Sequence, residues 1–251
     1  MTAGATAAFR SVSFGDLDGD LWGAAIDGEL RLLALGTPDR RQHRLGRDSI
    51  DWTVSGERWT LTADGLEVAI DPCDRPAEPA GGNGDTGAGL DQLCHVSGRI
   101  TIDGVEHEID CPGTRTTRDQ GLDLSGLDSL RGVCAWFGAG EGLTLLSLRP
   151  RGAADHSRDV ATASVFAPTA WQAVAEPRLS TTYTADGAPT RVGLELWPED
   201  GEQHYPRRAG GEVAGPAVDL QTDGLRVRVA PLRCHSGDRE GSGVYLLVRR
   251  G

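Results

Sequence analysis

The sequence predicts an all-β fold built from many short antiparallel hairpins, and three observations predict it. Asp-Gly pairs recur at Asp18-Gly19, Asp27-Gly28, Asp64-Gly65, Asp103-Gly104, Asp186-Gly187, Asp200-Gly201 and Asp223-Gly224, and this dipeptide favours the positive φ of tight hairpin turns. Most of the flanking segments alternate apolar and polar residues, the period that buries one face of a strand and wets the other. Glycine, at 35 residues, interrupts any stretch long enough to carry a helical stripe.

In chain order, the first twenty residues lack a basic segment followed by an apolar one, and no window approaches the roughly 20 apolar residues of a spanning helix. A cytoplasmic location is expected. Trp52 and Trp59 flank a turn and are placed to meet across one hairpin, which continues into RWTLTADGLEVAI at 58–70. The stretch PAEPAGGNGDTGAGLD at 76–91 has almost no large apolar side chain and reads as a flexible loop outside the core. GRITIDGVEHEID at 98–110 and VDLQTDGLRVRVA at 218–230 are further hairpins, with Leu225, Val227 and Val229 on one face and Arg226 and Arg228 on the other. One short helix fits near 122–132. LTADGLEV at 61–68 matches LQTDGLRV at 220–227 in five of eight positions. The match reads either as two β units in tandem or as the common pattern of amphipathic hairpins.

Charge and residue usage exclude whole classes of function. A net charge of −12 and a pI near 4.9 repel phosphate backbones and anionic lipid surfaces, so neither nucleic acid nor a membrane is an expected partner. All 25 basic side chains are arginine, which rules out lysine Schiff-base chemistry, pyridoxal phosphate and a phosphate-binding lysine loop. Cys73, Cys94, Cys111, Cys134 and Cys234 are an odd number and widely spaced, so free buried thiols are expected rather than a disulfide framework.

The string VSGRITIDGVEHEIDCPGTRTTRDQG, the pair Trp136-Phe137 and the terminal EGSGVYLLVRR together resemble the carotenoid 1,2-hydratase (hydroxyneurosporene synthase) superfamily, whose paired lipocalin-like domains are shared by fungal Diels-Alderases. Gly113, Arg115, Arg118, Asp119 and Gly121 resemble that family's interface segment, although Gln120 stands where a tryptophan is usual. The resemblance covers about 92–166 and the last dozen residues. It implies two lipocalin-like antiparallel β-barrel or sandwich domains packed together, here expected as a domain over 1–165 and a smaller one over 166–251. It also implies a large apolar cavity, no organic cofactor, and hydration, cyclisation or isomerisation of terpenoid, polyene or polyketide molecules.

Residues 106–118 are the densest chemical cluster. In an extended strand Glu106, Glu108 and Asp110 share one face, while His107, Ile109 and Cys111 share the other. A carboxylic acid desolvated in an apolar cavity has the raised pKa that protonating an alkene requires. Asp119 beside Arg118 is the first candidate and Asp110 the second, with His107 as an alternative acid or base. Arg115, Trp136, Phe137, Trp22 and Trp197 are the expected substrate contacts, indole faces being suited to apolar or cationic groups.

Other clusters point elsewhere. Asp155-His156 reads as a surface loop. Cys94-His95 and Cys234-His235 lack the paired spacing of zinc ligands, so no metal is expected. The serine of GSGVY reads as part of a turn, and Gly138-Ala139-Gly140 has no βαβ unit around it. The leading expectation is thus a cofactor-independent enzyme acting on a hydrophobic small molecule, with a noncatalytic carrier or a carbohydrate-binding module as alternatives.

Overall fold

The structure, a computed structural model, describes all residues except 1–7, 17, 19, 47–49, 74, 79–87, 120, 169, 200–204 and 223. Among the described residues, eighteen strands form two antiparallel sheets. The first holds β1 (Phe9–Gly15), β2 (Trp22–Asp27), β3 (Leu32–Gly36), β4 (Arg41–Leu45), β5 (Asp51–Ser55), β6 (Arg58–Ala63), β7 (Leu66–Pro72), β8 (Gly89–Ile102) and β9 (Val105–Arg118). The second holds β10 (Leu127–Gly138), β11 (Glu141–Pro150), β12 (Val160–Ala167), β13 (Ala170–Tyr183), β14 (Pro189–Pro198), β15 (Arg207–Val213), β16 (Val218–Thr222), β17 (Leu225–Ser236) and β18 (Arg239–Arg250).

Both sheets follow one plan. Each is a nine-strand meander whose first strand pairs with its last, β1 with β9 and β10 with β18. The first sheet runs β4-β3-β2-β1-β9-β8-β7-β6-β5 and stays open as a half-barrel. In the second, β15 also pairs with β17, which closes an eight-stranded barrel and leaves β16 outside it. Closure removes the edges that an open sheet exposes.

The tandem organisation is therefore real at the level of topology, but the matched octapeptides are not its copies. LTADGLEV spans β6 and β7, the sixth and seventh strands of the first sheet, whereas LQTDGLRV spans β16 and β17, the seventh and eighth of the second. Local hairpin chemistry made them alike: Gly65 and Gly224 have φ of 73° and 74°.

Several expectations need correction. Sheet membership changes between Arg118 and Leu127, and residues 165 and 166, where the domain division was expected, both lie within β12 of the second sheet. The short helix expected over 122–132 is one 3-10 turn at Leu124–Gly126, capped by the Asp123 carboxylate, and the chain is already extended at Leu127. Of the loop expected at 76–91, residues 79–87 lie outside the described ones. Ala77, however, is buried and bridges Asp91, and Gly89 opens β8. Ser242 is a buried residue within β18, not part of a turn.

Three apolar clusters hold the molecule. Val12, Phe14, Leu61, Val96 and Ile109 fill the concave side of the first sheet, and Val133, Leu145, Val165, Leu194 and Tyr245 fill the barrel. Phe9, Trp22, Leu93, Trp136, Leu148 and Val229 seal the space between the two. The large apolar cavity that the resemblance implied is absent from both interiors among the described residues, which are packed with side chains, and the larger open volumes lie at the mouth of the barrel and in a groove between the sheets.

Candidate functional site

The site is built on the β8–β9 hairpin. The Asp103-Gly104 turn, with φ of 50° and 79°, fixes the register from Ile102 opposite Val105 back to Gly89 opposite Arg118. Alternation then sorts the side chains. Cys94, Val96, Ile109 and Cys111 point into the first sheet's core. Asp91, Leu93 and His95, with Asp110, Thr114, Thr116 and Arg118, share the opposite face, which meets the second sheet.

At its rim, this face opens into a groove of about 510 Å³, walled by β8 and β9 on one side and by the β10–β11 turn, Gly138–Glu141, on the other. Trp136 lies wholly buried at its floor, oriented by a 2.9 Å hydrogen bond from Nε1 to the Thr114 hydroxyl. His95 Nε2 sits 2.8 Å from Asp110 Oδ1, with the two side chains 46% and 75% exposed. The pair is diagonal across the hairpin, since His95 opposes Pro112 and Asp110 opposes Ser97. Glu141, also at the groove, is held by Arg239.

Cysteine chemistry is disfavoured at the buried thiols of this wall. Burial pushes the Cys111 thiol up to about 12 and that of Cys94 well above its usual range, so neither supplies a thiolate near neutral pH.

Deeper along the same face lies a polar knot. Asp91 accepts hydrogen bonds from the Thr116 (2.9 Å) and Thr144 (3.0 Å) hydroxyls and from Arg118 Nη1 (3.1 Å), with the Ser164 hydroxyl at 3.4 Å. Thr144 and Ser164 come from β11 and β12, so the knot ties the two sheets together. A cavity of only about 40 Å³ adjoins it.

The groove brings together two of the residues expected from sequence, Asp110 and Trp136. The others are placed elsewhere. Asp119 is exposed in the turn after β9, and Asp110 faces solvent at the rim; neither is the desolvated acid that was expected. Arg118 is sealed in its ion pair with Asp91, out of reach of a ligand in the groove. His107 and Arg115 fall on the other face of β9. There Arg115 donates to Gln92 Oε1 and the Glu57 carbonyl, and its guanidinium lies 4.8 Å from the Trp59 ring centroid. Trp22 is buried in the inter-sheet core, Phe137 packs against the barrel core, and Trp197 sits on β14. Sequence alone hides His95, because beside Cys94 it resembles half of a metal site. The two point to opposite faces of β8.

No protein-family model matches the sequence, and no curated protein matches it. Solved structures do. An AttH-like protein from Nitrosomonas europaea superposes with a TM-score of 0.68 at 14% identity, covering 97% of this chain and 92% of that one. CghA with bound Sch210972 gives 0.58 at 12%, over 98% and 89% of the two chains. Kievitone hydratase from Nectria haematococca gives 0.56 at 9%, again over 98% and 89%. At these identities the likeness is one of fold. Two packed nine-strand sheets, one closed and one open, give this chain the lipocalin-like paired β-domain fold of those proteins, as the resemblance in residues 92–166 implied.

Proposed function

We propose that the chain is an enzyme that binds an apolar small molecule in the groove between its sheets and moves a proton to or from it through His95. The substrate class is a terpenoid, polyene or polyketide, and the reaction is hydration, cyclisation or isomerisation without a cofactor. The observation that carries this reading is the His95–Asp110 pair at 2.8 Å on the rim of a groove floored by Trp136. A carboxylate on Nε2 fixes the tautomer and ring orientation, which leaves Nδ1 as the nitrogen that exchanges a proton. A bound ligand would exclude water from the pair and strengthen its electrostatics. The fold likeness to kievitone hydratase and to CghA with its bound small molecule supports the same reading.

The test is incubation of the full chain with a panel of polyenes, terpenoids and polyketides, followed by mass spectrometry, alongside binding read by tryptophan fluorescence. Conversion is expected for the wild type and should fall about 10²-fold or more in His95→Gln, the scale of a lost acid–base group. Fluorescence quenching should persist in that variant. Binding without conversion in the wild type would replace catalysis by carriage, and quenching unaffected by filling the groove with Ala139→Trp would remove the site.

A further inference from the structure

The barrel of the second sheet has an open end that the groove does not involve. Along its inward rows, Val133, Leu145, Leu179, Tyr245 and Leu247 pack the interior. The same rows then turn polar at one end, reaching Arg131 on β10, Arg149 on β11 and Arg249 on β18. Ser129 pairs with both Arg149 and Arg249, which puts these two at one level of the barrel mouth, while Arg131, opposite Ser147 and Leu247, lies one inward row deeper. The mouth encloses about 690 Å³, within the range of a drug-sized ligand site.

Arginines 131 and 149 are already occupied. Asp159 accepts from Arg131 Nη2 at 2.7 Å and from Arg149 Nε at 2.8 Å, and His156 Nδ1 lies 3.0 Å away. Asp128, also on the lining, accepts from the Gly152 amide. Arg250 donates to the carbonyls of Ser125 and Leu127. Arg249 is different: it has no hydrogen bond or ion pair among the described residues, and its guanidinium lies against the β13–β14 turn at Gly187, across the mouth. Four arginines thus face two aspartates in a protein whose net charge is −12. Low-dielectric walls focus that local positive field.

We propose that this mouth binds the carboxylate of an amphipathic organic acid, its head on Arg249 and its chain against Leu179 and Leu247. One unpartnered guanidinium matches one monoanion and presents the planar fork that a carboxylate engages bidentately. The Tyr183 hydroxyl, on the lining and 3.2 Å from that of the buried Tyr245, supplies a further polar partner beside the apolar floor. This site is separate from the groove and does not depend on its chemistry.

Isothermal titration of the full chain with dodecanoate tests the proposal. One saturable site is expected, weakened at least tenfold in Arg249→Leu and by raised salt, while dodecan-1-ol and inorganic phosphate each bind at least tenfold less tightly than dodecanoate. Ala139→Trp, which fills the groove, should leave dodecanoate binding unchanged. Unaltered affinity in a folded Arg249→Leu, loss of binding in Ala139→Trp, phosphate as tight as dodecanoate, or no binding by the wild type would each overturn it. Arg249→Gln gives the same reading should the leucine variant lose its β-sheet circular dichroism.

Discussion

Asp91 Oδ1 lies 3.1 Å from Arg118 Nη1 with the two side chains 3% and 0% exposed, a charge pair sealed between the two sheets. Burying such a pair is costly, and it is tolerated here because three hydroxyls from both sheets share the carboxylate. Removing one partner strands the other. Asp91→Ala should therefore destabilise the protein by about 3–5 kcal/mol in urea denaturation. The double variant Asp91→Leu/Arg118→Met should be more stable than that single one, because no uncompensated charge remains. A single variant within about 0.5 kcal/mol of wild type would show that the knot does not hold the sheets together.

Alkaline pH should unfold the protein in a defined window. Burial pushes the thiols of Cys111, Cys134 and Cys234 up to about 12, against 9.0 in an unfolded chain. Between those values the unfolded state loses protons that the folded state keeps. Stability is thus fully present below pH 9 and falls as pH rises toward 12, by about 1.4 kcal/mol per unit for each thiol. Cys134→Ala should flatten that slope in denaturation curves measured at pH 8 and pH 10.5. An unchanged slope would exclude the thiol as its source.

Gly241→Ala should be among the most damaging single-methyl changes. A Cβ at that position would stand 1.9 Å from the Trp136 carbonyl oxygen, backbone against backbone, where no side chain can yield. The β10–β18 pairing would have to part beside the groove floor. A loss of several kcal/mol is expected in thermal or urea melts. A melting temperature within a degree or two of wild type would contradict the close approach.

Trp136→Phe should cost about 1 kcal/mol by removing the bond from Nε1 to the Thr114 hydroxyl while keeping most of the packing. Trp136→Ala should cost about 3–5 kcal/mol and enlarge the groove. Comparing both variants for stability and for quenching by an apolar ligand separates orientation of the indole from its bulk. Equal losses for the two would place the whole effect in the hydrogen bond.

Hairpins and turns were readable in the sequence because each is a local matter, whereas the expected burial of the thiols fails at the exposed Cys73. Gly65, Gly104, Gly187 and Gly224 of the Asp-Gly pairs take the expected positive φ, though Gly28 does not, and Trp52 meets Trp59 at 5.9 Å because one short turn joins their strands. The His95–Asp110 pair was also within reach. The Asp103-Gly104 turn fixes which residues of β8 face which of β9, and counting back along that hairpin brings the two side chains together. Alternation likewise put Asp110 and His107 on opposite faces.

What the sequence by itself determined was therefore the hairpins at 58–70, 98–110 and 218–230, their turns and the two faces of their strands. Only the tertiary structure decided which face of β9 meets the second sheet, and so buried Arg118 and Asp91 while leaving Asp119 and Asp110 exposed. It also decided that one nine-strand meander closes and the other stays open. The physical reason is range. Backbone geometry and side-chain alternation act over a few residues, whereas desolvation depends on what a distant part of the chain lays over each face.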